Sequence, residues 1–175
     1  MLLAILVGIF SACGTGNNGN GGSTPPAQTA NVASPQAQNT ASNKFTEADI
    51  AKLKWIEGTW RGMDGDKPFF ERYRFENETA MIVETLADDT LAKVSETSRF
   101  QLLDGEFTHT EGNQSSAASS ITDKSVQFVP TSGGGNSFRF ERQSDGTWNA
   151  ILEWPSSPNK PAGSKVYKME PWPKK

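Results

Sequence analysis

The stretch LKWIEGTWRG, residues 53–62, decides the fold, because the period of the apolar side chains changes within it. Upstream of it, apolar residues recur at the spacing of one helix face. Thr46 and Asp49 form the capping-box pattern that starts a helix, and Gly58 is typical of the residue that ends one. The sequence therefore predicts one short helix that ends at residue 55 or 56.

Downstream of Gly58, apolar and polar residues alternate, which is the pattern of strands with one buried face. Turn-forming pairs such as Asp104-Gly105 and Asp145-Gly146 separate the segments. Strands are predicted at residues 59–62, 69–76, 80–86, 92–103, 106–111, 117–121, 125–129, 137–143, 147–154 and 165–170. Consecutive short strands joined by tight turns indicate a meander that closes on itself. We predict an all-β fold, an antiparallel up-and-down barrel of about eight to ten strands preceded by one short helix.

The opening of this domain resembles a known class of barrels. Trp55 and Gly58-Thr59-Trp60 are similar to the first helix and strand of calycin, or lipocalin-like, proteins. The chain resembles in particular a bacterial lipocalin-like domain family of unknown function, through Glu71-Arg72-Tyr73 and the late strands that contain Phe138 and Trp148. The resemblance implies a calycin-like barrel with a lumen closed at one end.

The opening is also similar, more remotely, to nitrobindin, a haem-binding calycin. That family holds its haem through a histidine late in the chain. The single histidine of this sequence, His109, lies in a middle strand. The resemblance therefore implies the barrel shape without the haem, and we expect no cofactor.

The N-terminus has the pattern of an export signal. Residues 2–10 form an apolar run of nine, much shorter than the ~20 residues of a membrane-spanning helix. Ser11, Ala12 and then Cys13 follow, which resembles the bacterial lipoprotein box. The resemblance implies a signal peptide over residues 1–12, cleavage before Cys13 and attachment of acyl chains such as palmitate to it. The alternative is that Cys13 is an ordinary residue of a secretory signal.

Residues after Cys13 are predicted to be a tether. Residues 14–44 consist of small and polar side chains with one aliphatic residue, Val32, and one charge, Lys44. Such a segment cannot bury enough apolar surface to fold. The predicted organisation is a lipidated tether over residues 13–44 and a barrel domain over residues 45–175. Gly14 after the cysteine, in place of Asp, implies the periplasmic face of the outer membrane if the host is Gram-negative.

Composition excludes several classes of function. The 175 residues carry a net charge of -3 with a pI near 5.2, so the chain lacks the basic field that nucleic-acid binding requires. One cysteine excludes an internal disulfide and a cysteine-built zinc site. His109 and Glu111, two apart on one strand face, are too few to predict a metal site.

Alternate residues of a barrel strand point inward, so the more apolar register of each strand predicts the lumen. The candidate lumen and ligand-binding residues are Trp60, Phe69, Glu71, Tyr73, Glu96, Phe100, His109, Phe140, Arg142 and Trp148. Apolar walls with a few polar groups are typical of small-molecule sites. An interior ion pair of Arg142 with Glu71 or Glu96 is one interpretation. The other is that the register slips, or that these side chains lie at strand ends in water.

Three hypotheses of function follow from these patterns. The first is a tethered envelope protein that binds a small apolar or amphipathic molecule in its barrel. The second is a packed barrel whose surface binds another envelope protein. The third is a hydrolase or isomerase with Glu71 or Glu96 as general base, for which the sequence carries no nucleophile elbow or cofactor motif.

Overall fold

The computed structural model describes residues 44–132, 135–158 and 160–173. The predicted signal peptide, Cys13 and all of the predicted tether but Lys44 lie outside these ranges. Helix α1 (Glu47–Ala51) continues as a 3₁₀ helix (Lys52–Ile56). The strands are β1 (Gly58–Asp64), β2 (Lys67–Phe75), β3 (Ala80–Leu86), β4 (Val94–Leu103), β5 (Glu106–Glu111), β6 (Gln114–Ile121), β7 (Ser125–Ser132), β8 (Ser137–Arg142), β9 (Trp148–Trp154) and β10 (Gly163–Pro171).

These ten strands form a closed antiparallel barrel, in which each strand pairs with its neighbours in the chain. The barrel closes where β10 pairs with β1, through Trp60 opposite Pro171 and Arg61 opposite Glu170. The Arg61 guanidinium donates a hydrogen bond to the Glu170 carboxylate at 2.9 Å across this seam. The predicted all-β up-and-down barrel with one short N-terminal helix is confirmed.

The helical segment covers the end of the barrel at which β1 begins, which we call the helix end; the opposite end is the distal end. The Thr46 backbone N–H donates to the Asp49 carboxylate at 2.9 Å, as the capping box predicts. Ile50, Leu53 and Ile56 are buried in the core of the barrel. Burial of these apolar side chains holds the helix against the barrel.

Gly62 of β1 makes room for a side chain of the next strand. A Cβ at this position would lie 2.1 Å from Cζ of Phe69, because the phenyl ring of Phe69 occupies the space over the glycine. The same ring meets Tyr167 of β10 edge-on, with the ring centroids 5.6 Å apart. Phe69 therefore packs β2 against β10 across β1.

Candidate functional site

The half of the lumen at the helix end is filled with aromatic rings around Trp148. This side chain is fully buried, and its ring centroid lies 5.8 Å from that of Trp60, 5.5 Å from Tyr73 and 5.0 Å from Phe140. The Trp60 indole N–H donates to the carbonyl oxygen of Ile56 at 2.7 Å, which ties the start of β1 to the helix. These edge-on contacts form a solid aromatic floor.

A second group of rings continues from this floor along β4, β7 and β8. The rings of Phe128 and Phe138 are stacked, with centroids 4.7 Å apart. Phe100 lies 5.1 Å from Phe128 and 6.3 Å from Phe140, which joins the two groups. All four phenylalanines are buried. The aromatic cluster is therefore continuous from the helix end into the middle of the barrel.

Polar side chains occupy the inward registers above the phenylalanines. Glu71 of β2 pairs with Thr85 of β3, which pairs with Glu96 of β4. Thr85 is buried and Glu96 is half-buried. Sequence reasoning missed Thr85, because most residues of β3 are apolar on both faces and no alternation distinguishes them.

Glu71 is a buried carboxylate that accepts a hydrogen bond from a neighbouring side chain of the lumen. It is 0% exposed, and the Tyr73 hydroxyl donates to its Oε2 atom at 2.7 Å. Burial, together with the Glu71 charge, raises the pKa of Tyr73 well above its usual value. Tyr73 therefore stays protonated and keeps donating to this carboxylate.

Arg142 does not take part in this polar row, so the interpretation of an interior ion pair is wrong and the alternative, a side chain at a strand end in water, holds. Its side chain is exposed, at the last residue of β8. It lies at the helix end, where it pairs with Trp148 and its backbone N–H donates to the Lys124 carbonyl at 2.7 Å. Glu96 is the third residue of β4, near the distal end. The register of Arg142 is inward, but β8 ends at this residue and the side chain is exposed.

His109 lies between the phenylalanines and the polar row. It is 3% exposed, its ring centroid is 4.4 Å from that of Phe100, and it meets Phe138 edge-on at 5.7 Å. Its Nε2 atom is buried and has no hydrogen-bond partner among the described residues. Burial lowers the pKa of His109 from 6.5 to about 4, so the imidazole is neutral at pH 7.

Glu111 follows two residues later on the same face of β5. His109 pairs with Phe100, so Glu111 faces the segment of β4 that contains Glu96. Burial, and then the neighbouring charge of Glu96, raise the pKa of Glu111 from 4.5 to about 7. Both of its carboxylate oxygens are buried, and a side-chain hydrogen bond with Glu96 also contributes to the raised pKa. The two carboxylates form an acidic pair, and one of them shares a strand face with the neutral imidazole of His109.

The strand beside β5 contributes short side chains to this region. Ser116 of β6 pairs with His109, and Ala118 packs against the aromatic cluster. Residues 114–119 of β6 are half-buried. These short side chains contrast with the ring of Phe128, which pairs with Ala118 on the neighbouring strand β7.

Of the predicted lumen residues, eight are buried: Trp60, Phe69, Glu71, Tyr73, Phe100, His109, Phe140 and Trp148. Glu96 is half-buried, and Arg142 is exposed. A role for any of them in ligand binding stays a prediction. Sequence reasoning missed Tyr167, although its alternation with Met169 in β10 is the signal that predicts both to face inward.

A cleft of about 820 Å³ lies on the surface at the helix end. Thr59, Trp60, Thr147 and Trp172 are among the residues that line it. Its wall includes Trp172, which packs against Phe70 with ring centroids 5.5 Å apart. This cleft is separate from the acidic pair, which lies towards the distal end.

Within the described ranges, no group of three or more His, Cys, Asp or Glu side chains is arranged to hold a metal ion. None of the helices described there is long and apolar enough to cross a membrane. No protein-family model matches the chain, and neither the curated proteins nor the solved structures contain a match to it.

Proposed function

We propose that this chain is a lipid-anchored envelope protein whose barrel binds a small apolar or amphipathic molecule. The observation that carries the proposal is the buried Nε2 atom of His109, which has no hydrogen-bond partner among the described residues. Leaving a buried polar atom unpaired costs about 1–3 kcal/mol, so the position of such an atom needs an explanation, and a bound ligand is one. A ligand group that bonds to this nitrogen recovers that free energy.

The surroundings of His109 are suited to a ligand with one apolar and one polar end. Phe100 and Phe138 flank the imidazole, and Glu111 follows it on the same strand face. Ser116, which pairs with His109 on the neighbouring strand, has a short side chain. An apolar body packs against the rings while the polar end reaches the carboxylates.

Binding to the barrel is tested with 1-aminoanthracene, a neutral probe whose emission rises in an apolar site. The full-length protein is expected to bind it saturably with one site per barrel. Ser116→Phe fills the space next to His109 and should abolish the signal. Ser120→Phe, on an exposed residue of the same strand, should leave the signal unchanged. Thermal melts establish that both variants are folded, and Ser116→Leu replaces the first if it is not.

Anchoring to the membrane rests on the lipoprotein box that ends at Cys13. Cys13→Ser should release the protein from the membrane fraction and abolish incorporation of labelled palmitate, because the acyl chains supply the attachment. Ser11→Thr, next to the cysteine, keeps the acceptor thiol and serves as the control. Palmitate that still enters the Cys13→Ser protein would show that the anchor lies elsewhere.

A packed interaction module is the second candidate, and the aromatic floor favours it. Trp148 is in contact with the rings of Trp60, Tyr73 and Phe140, so this half of the lumen is occupied by the protein itself. Such a barrel would bind no probe and would use its outer surface instead. Absence of saturable probe binding, together with one envelope protein recovered by crosslinking in cells, would support this candidate over the first.

A further inference from the structure

We infer that the ligand of this barrel is a small organic cation, an amine with a compact aromatic or apolar body. Its ammonium group would lie between Glu96 and Glu111, within reach of His109. This inference rests on the proposed binding function and names the class of molecule that the site selects.

The charges of the lumen point to a cation. Glu71, Glu96 and Glu111 lie in inward registers of β2, β4 and β5. Among the described residues of the inward registers, three are basic, and the first, Lys67, is exposed at the start of β2. Arg142 is exposed at the helix end, and Lys165 lies at the distal rim, where its ammonium group pairs with Asp64. The acidic pair therefore has no basic partner among the described lumen residues.

The raised pKa of Glu111 is consistent with a site for a cation. Removal from water and the neighbouring Glu96 make ionisation of Glu111 unfavourable, which raises its pKa to about 7. Glu71 already accepts a hydrogen bond from the Tyr73 hydroxyl. It therefore contributes negative electrostatic potential to the lumen, and we do not assign it a hydrogen bond to the ligand. A cation bound at Glu96 and Glu111 removes the repulsion between the two carboxylates and donates charge-assisted hydrogen bonds to them.

His109 provides the independent observation. It is 3% exposed, and its Nε2 atom is buried without a hydrogen-bond partner among the described residues, two positions before Glu111 on the same strand face. A neutral imidazole presents one nitrogen as an acceptor, which suits an ammonium donor. Because burial keeps the ring uncharged, His109 does not repel a positive ligand.

The aromatic walls add a further attraction. The rings of Phe100 and Phe138 lie 4.4 Å and 5.7 Å from the imidazole ring, close enough to contact a group bound beside it. The faces of aromatic rings attract ammonium groups, and their apolar surface accepts the body of the ligand. An anionic ligand would instead meet three carboxylates in a desolvated site.

Three ligands of similar shape and different charge test the inference: 2-phenylethylamine, 2-phenylethanol and 3-phenylpropanoate. They are titrated by calorimetry into the full-length protein at pH 7.5. The amine is expected to bind at least tenfold more tightly than the alcohol, and the carboxylate should show no saturable binding. This order follows from the charge of the lumen and not from its shape.

Glu111→Gln keeps the shape of the side chain and removes its charge. It should weaken amine binding at least tenfold and leave alcohol binding within twofold, so that selectivity is lost. Glu106→Gln, on an exposed residue of the same strand, should change neither. Glu96→Gln is the second variant, with the same expected effect, in case the first is unfolded in thermal melts.

The outcomes separate the inference from the function on which it rests. Equal binding of the amine and the alcohol, with 1-aminoanthracene still bound, overturns the cation and leaves the binding function intact. Amine binding that survives both Glu111→Gln and Glu96→Gln also overturns it. If none of the three ligands and no probe binds, the binding function fails as well.

Discussion

Replacing His109 by phenylalanine should change how the stability of the protein depends on pH. The pKa of His109 falls from 6.5 to about 4 because the ring is buried. The folded state therefore disfavours the charged imidazole, whereas the unfolded chain accepts the proton readily. The native protein loses stability as the pH falls from about 6.5 towards 4, and the His109→Phe substitution removes this loss.

The size of the effect follows from the two pKa values. As the pH falls from 7.5 to 4.5, the low pKa of His109 reduces the free energy of unfolding of the native protein by about 2.5 kcal/mol. A side chain that does not titrate at this position causes no such reduction. Glu111 acts in the opposite direction, since its raised pKa favours folding as the pH falls from about 7 to 4.5. It is present in both proteins, so its contribution cancels in the difference.

The assay is urea unfolding of both proteins, followed by circular dichroism at pH values between 4.5 and 7.5. The free energy of unfolding of His109→Phe should gain about 2.5 kcal/mol over that of the native protein as the pH falls through this range. Thr108→Phe adds the same ring at the neighbouring, half-exposed position and should show no such gain. A difference that stays constant within about 0.5 kcal/mol would refute the burial of His109.

The remaining stability predictions concern the aromatic packing. Trp60→Ala should lower the free energy of unfolding by about 3–5 kcal/mol in urea melts, because it removes a large buried ring; a loss below about 1 kcal/mol would contradict the packing at the helix end. Gly62→Ala should cost about 1–3 kcal/mol or more, because the new methyl group meets the ring of Phe69. Adding Phe69→Leu to Gly62→Ala should cost less than the sum of the two single changes, and simple additivity would show that the ring does not cover the glycine.

Local patterns were sufficient to predict the architecture. Thr46 and Asp49 start the helix as predicted, and alternation after Gly58 identified the strands. The same alternation placed Glu71 and His109 in the lumen, where both are buried. These features depend on neighbours within one element, so the sequence carries them directly.

Position along the barrel axis is not encoded in the same way. Arg142 shares a register with Phe138 and Phe140, yet it lies where β8 ends, so alternation alone predicted the wrong environment. The proximity of Glu96 and Glu111 depends on how β4 pairs with β5, and neither strand reveals that pairing by itself. The acidic pair therefore became visible only with the three-dimensional structure.

The most direct test of the central claim is a crystal structure of the full-length protein grown with 2-(4-bromophenyl)ethylamine, in which bromine is located by its anomalous scattering. We expect the bromophenyl ring to lie against Phe100 and Phe138, with the amine nitrogen within hydrogen-bond distance of the Glu111 carboxylate. Bromine found instead in the surface cleft beside Trp172, with the lumen free of ligand, would contradict it.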